Sequence, residues 1–305
     1  MNPYTNIELK NYFINHNIKT INNVYKEKYT NKNVTGFGDF IRGCYFLLDF
    51  CKLYNVQFNI IILHPIYRLL LDNPNHNKIN KQITDSISFF DFTNFNENIH
   101  LTYNNDCREL NKELFSYIKK LPIIKNDIYL YNTVFPIQPI SEENKTIVFK
   151  LILPNYRMNT YIEDVLNQLK LQKYIYKAIH VRYGDNFMIQ KNGMKLFKND
   201  DIQKLLLQIQ NIINTKDNYV MLSDCPFIKK YIIERIPNVK CVFKEITHLG
   251  EGVLLTDDNI KDTLLDFYLL SYSNAIYSFS NYQHGSSFSK WCAITYNIPF
   301  TPCRI

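Results

Sequence analysis

The sequence predicts an α/β protein, and three observations carry that expectation. In the C-terminal half, short apolar runs alternate with longer stretches of helical period. Strands separated by helices pair in parallel through right-handed crossovers, which gives a Rossmann-like unit. Polar residues gather where three of the runs end, at His180 with Arg182 and Asp185, at Ser223-Asp224, and at Ser278-Phe279-Ser280. Sheets of this kind bind ligands beyond the carboxyl ends of their strands.

Element by element, Tyr176–Arg182 reads as a strand, 200–214 as a helix by its Ile/Leu periodicity, and Tyr219–Asp224 as a strand again. Pro226 suits a helix start and leads 227–235, and a third strand covers 239–244. Asp257 or Asp258 can cap a long amphipathic helix reaching Ser273, with Ala275–Ser280 as the fourth strand. Ser286 or Ser287 opens a last helix that ends before Pro299. The N-terminal half is less regular. Its best segment is Thr35-Gly36-Phe37-Gly38-Asp39-Phe40-Ile41-Arg42-Gly43, a glycine loop feeding a helix over 40–54, with a strand over 56–63 behind it. Glycines ahead of a helix N-terminus expose backbone N–H groups to an anion. The loop lacks the third glycine and the clear preceding strand of a dinucleotide fingerprint. Residues 64–135 give few helix or strand signals, and 141–154 reads as a capped helix near the boundary between two domains, 1–140 and 141–305.

The bulk properties bound the function. With 305 residues, 46% hydrophobic and 21% charged, the chain can bury a substantial core. A net charge of +7 suits anionic ligands such as sugar nucleotides, and no Lys/Arg block suggests a nucleic-acid arm. Seven scattered cysteines without CxxC spacing point to reduced thiols, not to zinc or redox chemistry. The start MNPYTNIELKNYF lacks a signal-peptide core and no stretch reaches membrane-span length, so a cytoplasmic setting is expected. The sequons at Asn33 and Asn144 are then without consequence.

The run Ala178-Ile179-His180-Val181-Arg182-Tyr183-Gly184-Asp185 carries the chemistry. His180 and Arg182 leave a strand on one face. Arg182 can fork onto two phosphate oxygens, as a lysine cannot, and Gly184 allows a sharp turn. Asp185 can fix the arginine or begin the next helix. The geometry suits a nucleotide pyrophosphate; the competing reading is a buried Arg–Asp pair at a strand end. Asp224 reads equally as a cap of the following helix or a ligand contact.

His180-Val-Arg182-Tyr-Gly184-Asp185 resembles the HxRxxD motif of the fucosyltransferase superfamily, which holds the α-1,2-, α-1,6- and protein O-fucosyltransferases. Ser286-Ser287-Phe288-Ser289-Lys290-Trp291-Cys292-Ala293 is similar to that superfamily's serine-rich C-terminal motif, and Asp266 with Leu269-Leu270-Ser271 to the helix ahead of it. Gly36-Phe37-Gly38-Asp39 with Arg42 resembles its N-terminal glycine loop. Lys290 and the segment 281–285 depart from the pattern, and 64–135 does not align.

The resemblance implies an α/β, GT-B-like architecture: two Rossmann-like domains facing a cleft, an acceptor-side domain and a C-terminal nucleotide-sugar domain. It implies an inverting, metal-independent hexosyltransferase that moves fucose from GDP-fucose to a glycan hydroxyl, with no cofactor besides the donor. The absence of any Asp-x-Asp agrees with that. Arg182 would stabilise departing GDP. His180 and Asp266 would contact guanine, with Asp185, Ser223, Asp224, Ser286, Ser287, Phe288 and Ser289 completing the donor site. Gly36, Phe37, Gly38, Arg42, His248 and Glu251 would line the cleft, and Asp39 would be the base, with Glu251 and Asp185 as rivals. A GT-B enzyme using another nucleotide sugar and a non-catalytic nucleotide-sugar or glycan-binding module are the alternatives.

Overall fold

The structure, a computed structural model, describes residues 7–29, 32–33, 35–71, 81–90, 113–136, 139–183, 199–244, 246, 249, 256–282 and 285–305. It forms two compact units, which meet in the chain at Leu153–Pro154, with Arg68–Leu70 belonging to the second.

The first unit is built on a parallel sheet. Helix α1 (Ile7–Asn15) leads into β1 (Thr20–Tyr25), and a short antiparallel pair, β2 (Lys28–Tyr29) and β3 (Lys32–Asn33), precedes α2 (Phe37–Tyr54). Then come β4 (Gln57–Ile62), α3 (Lys81–Ser86), β5 (Ser88–Phe90), β6 (Asp127–Asn132) and α4 (Glu142–Leu151). The sheet order is β4-β1-β6-β5, every pair parallel. Leu9, Phe13, Leu47, Phe50, Ile128 and Leu130 are among its core residues. Gly43 sets how close α2 comes to the sheet: a Cβ there would lie 1.8 Å from the Asn132 carbonyl oxygen. The Asn132 amide returns the contact, donating to the Gly43 carbonyl at 3.0 Å.

The second unit begins with α5 (Tyr156–Gln168), N-capped by Asn155, and continues through β7 (Tyr176–Arg182), α6 (Asn199–Ile212), β8 (Asn218–Ser223), α7 (Pro226–Ile233) and β9 (Val239–Cys241). It closes with α8 (Asp257–Ser271), β10 (Ala275–Ser280), α9 (Ser287–Tyr296) and β11 (Phe300–Arg304). The parallel sheet runs β11-β10-β7-β8-β9. Successive strands step one way from β7 to β9, then the chain crosses to β10 on the other side. The order reverses between β7 and β10, and such a reversal opens a crevice at the strands' carboxyl ends.

The expected strands β7 and β10 form as read; the differences lie at ends and in the N-terminal half. Helix α2 starts at Phe37, with Gly36 as N-cap, so Gly38 and Asp39 lie in its first turn and not in a loop. Thr256, not Asp257 or Asp258, caps α8 by accepting from the Asn259 N–H at 3.2 Å. Strand β9 stops at Cys241. Helix α4 belongs with the first unit, where it packs near α2, whereas the boundary expected at 140/141 gives it to the second. Among the described residues no helix is long and apolar enough to cross a membrane.

Candidate functional site

The reversal point of the second sheet collects the polar strand ends. His180 stands opposite Ser278 on β10, and Arg182 opposite Ser280. The Asp224 carboxylate, immediately after β8, accepts the Tyr183 N–H at 3.0 Å through one oxygen and lies 3.2 Å from Arg182 Nη1 through the other. Its side chain is 2% exposed and that of Arg182 is 17% exposed, so a buried carboxylate holds the head of an arginine that stays partly exposed. Asp224 does not cap α7. Cys225 does, its Sγ accepting from the Ile228 N–H at 3.4 Å. Ser223 serves the same turn, its buried Oγ accepting from the Cys225 N–H at 3.1 Å. Across the reversal point, the Asn281 amide donates to the Tyr183 carbonyl at 2.6 Å and ties β10's exit to β7's.

Helix α9 begins here. Ser286 occupies its N-cap without a side-chain cap hydrogen bond. The first turn of a helix directs N–H groups and the positive end of its dipole at an anion. Phe288, in that turn, sets its ring 5.9 Å from His180 and 5.4 Å from Phe267. Ser287 is half-buried beside it. Ser289 turns inward: its buried Oγ lies 2.8 Å from Ser278 Oγ, so this hydroxyl fastens α9 to β10.

One polar group beneath this rim is left unsatisfied among the described residues. His180 is buried, and no partner reaches its Nδ1 among the described residues. Burial, aided by the charges of Arg182 and Lys229, pushes its pKa down to about 3, so the ring is neutral. Asp266, on α8, is 5% exposed. Burial raises its carboxyl to about 6; Lys229 opposes the rise, while Asp262 and Asp224 add to it. Buried polar groups normally find partners, so the open His180 Nδ1 marks a place a ligand can complete. Lys229 was not foreseen from the sequence, where it is one of two adjacent lysines. Its signal is helical spacing, since it shares the face of α7 that carries Ile232 and, beyond the helix, Ile236.

The glycine segment of the first unit forms a separate polar knot. Arg42 Nη1 lies 2.8 Å from Asp39, its Nε donates to the Thr133 carbonyl at 2.6 Å, and its guanidinium stacks 3.9 Å over Phe135. Thr35 Oγ1 and Tyr131 Oη are 2.6 Å apart beside it. Phe37, expected to line a cleft, is instead a core residue, its ring near Tyr25 and Phe40. The early helix start is the reason, because it puts Phe37, Phe40 and Ile41 on one buried face. Gly36 and Gly38 belong to the N-cap and first turn. Asp185, His248 and Glu251 lie outside the described residues. Among the described residues no group of three or more His, Cys, Asp or Glu side chains gathers as metal ligands would.

The chain thus carries two parallel α/β sheets, the second with an order reversal and an anchored arginine at its carboxyl edge, an arrangement of the GT-B kind. Solved structures agree. NodZ, an α-1,6-fucosyltransferase soaked with GDP-fucose, superposes with a TM-score of 0.53 at 11% identity, covering 91% of this chain and 92% of that one. NodZ co-crystallised with GDP gives 0.52 at 11% identity over 90% and 91%. Fucosyltransferase NodZ from Bradyrhizobium gives 0.51 at 11% identity over 90% and 92%. No protein-family model matches the sequence, and no curated protein matches it. The chain thus has the fold of these fucosyltransferases, as the motif resemblance implies.

Proposed function

We propose that this protein is an inverting, metal-independent fucosyltransferase that uses GDP-fucose and a glycan hydroxyl. The observation that carries the reading is Arg182, held by buried Asp224 at the reversal point of a parallel sheet, opposite a helix N-terminus. The solved structures of similar fold were prepared with GDP or GDP-fucose, which supports this choice of donor.

In this mechanism the acceptor oxygen forms a bond to the anomeric carbon as the bond from that carbon to the β-phosphate oxygen breaks. The bonding pair leaves with GDP, and the hydroxyl proton passes to a base. Charge grows on the diphosphate as the bond breaks. Arg182 and the N–H groups opening α9 answer it, and Arg182's fork is preset by Asp224. His180 and Phe288 flank the nucleotide, Asp266 takes the N–H edge of guanine, and Ser286 and Ser287 lie by the phosphates. Asp39 is the residue we propose as proton acceptor; its carboxylate is oriented by Arg42.

The test is turnover. Purified protein is incubated with GDP-fucose, GDP-mannose, UDP-glucose or UDP-galactose, with and without oligosaccharide acceptors and with chelator present. GDP release from GDP-fucose, increased by an acceptor, is expected. Release of UDP alone would assign another sugar donor, and no release from any donor would leave a binding module.

A further inference from the structure

Strand register at the reversal point lines up a second arginine with Arg182. Arg182 on β7 stands opposite Ser280 on β10, and Ser280 stands opposite Arg304 on β11. Residues paired across a parallel sheet send their side chains to the same face. That face is the one α9 covers, since Ser289 fastens the helix to Ser278, two residues before Ser280. Cys303 and Ile305, on either side of Arg304, pack against the core of the opposite face. Neighbouring strands lie about 4.8 Å apart, so the backbones of the two arginines stand roughly 10 Å from each other. The end of β11 is fixed, because the Ile305 N–H donates to the Ser280 carbonyl at 3.3 Å.

The two arginines differ in what holds them. Arg182 lies 3.2 Å from the Asp224 carboxylate, which offsets its charge inside the site. Arg304 is exposed, and no carboxylate lies within ion-pair distance of it among the described residues. A leaving diphosphate gains negative charge as its bond to the sugar breaks, and an arginine already paired meets only part of that charge. Arg304 is an unpaired cation in the same row. Position selects the phosphate it would meet. Lys244, beyond β9, lies 3.8 Å from Asp262 on α8, which sets that stretch, with Asp266 one turn on, toward the β9 side. Arg304 stands at the opposite edge of the sheet, past Arg182.

We infer that Arg304 is a second diphosphate-binding arginine, which takes the phosphate farther from the base. This rests on the reading above, in which Asp266 contacts the base and Arg182 the diphosphate. A nucleotide laid from α8 across Arg182 toward β11 brings its terminal phosphate over Ser280, between the two guanidinium forks.

Calorimetric titration with GDP and GMP at one ionic strength tests this on wild type, Arg304→Gln and Arg304→Lys. Both variants should fold, since the side chain they change is exposed. Wild type should bind GDP more tightly than GMP. Arg304→Gln should weaken GDP about tenfold, as loss of a charged hydrogen-bonding partner does, and leave GMP within about twofold. Arg304→Lys keeps the charge without the fork and should weaken GDP less. Equal weakening of GDP and GMP in Arg304→Gln, or weakening of neither, would overturn the inference. So would a loss in Arg304→Lys as large as that in Arg304→Gln. Arg304 would then be a charge that discourages strand pairing at an open sheet edge. Wild type that binds neither nucleotide refutes the GDP reading itself. An undiminished GDP preference in Arg304→Gln refutes only the part given to Arg304.

Discussion

Arg182 and Asp224 meet at the carboxyl end of the second sheet, Nη1 to Oδ2 at 3.2 Å, the aspartate buried and the arginine still partly open. The same carboxylate takes the Tyr183 N–H, so one side chain sets both the backbone leaving β7 and the head of the arginine. A structural ion pair and a ligand site are therefore not competing descriptions here. The buried partner fixes the exposed one.

Arg182→Ala should reduce transfer by about 10²–10³, as removal of a preorganised transition-state donor does. Arg182→Lys should fail to restore it, because a point charge cannot fork onto two phosphate oxygens. Initial rates at saturating GDP-fucose, with circular dichroism to verify folding, check both.

Asp224→Ala carries a different expectation. It removes one anchor of the arginine and the acceptor of the Tyr183 N–H together, and breaking a buried pair from one side costs about 3 kcal/mol. Urea unfolding should show that loss, and nucleotide affinity should fall with it, since Arg182 is no longer aimed. Asp224→Asn should lose less stability, as its amide oxygen can still accept from Tyr183.

Asp266 and His180 give opposite slopes of stability with pH. For Asp266, raised to about 6 from 3.8, the folded state binds more protons between those values, so stability falls as pH rises through that window. The full effect is on the order of 3 kcal/mol above it. For His180, lowered to about 3 from 6.5, the unfolded state binds more protons, so stability falls as pH drops below 6.5. Melting temperatures of the nucleotide-free protein between about pH 4 and 8 should show a gentler acid loss in His180→Phe and a steeper one in Asp266→Asn.

Gly43→Ala should damage the first unit severely. The added methyl would meet backbone at 1.8 Å, with no flexible side chain to give way. A loss of about 3 kcal/mol is expected from forcing α2 off β6. Chemical denaturation monitored in the first unit checks it, and pyrophosphate binding to folded protein should persist, since Arg182 and α9 belong to the second unit.

The second unit was legible because each strand is a short apolar run flanked by helices of clear period, so β7 and β10 could be read to the residue. The strand order and its reversal point rest on pairing between distant segments, and the polar strand ends read at His180, Arg182 and Asp224 lie where that pairing collects them. In the first unit, β1 (Thr20–Tyr25) carries Asn22 and Asn23 at buried positions, and their polarity hides the strand. Those amides are satisfied at long range, Asn22 by donating to the Ile128 carbonyl at 3.1 Å, which no local pattern reveals. Strand β11 contains Pro302, tolerated because it lies at the sheet's edge. Lys229 escaped for a related cause: a buried charge is set by what surrounds it in three dimensions.

The most direct measurement is thermal stabilisation of wild type and Arg182→Ala by GDP, UDP and ADP, all at one concentration, ~100 times the wild-type dissociation constant for GDP. The account predicts a GDP-selective gain of about 2.7 kcal/mol in wild type. At the same GDP concentration, Arg182→Ala should lose most of it. Equal stabilisation by UDP or ADP, or none by any of the three, would contradict a guanine-nucleotide site at Arg182.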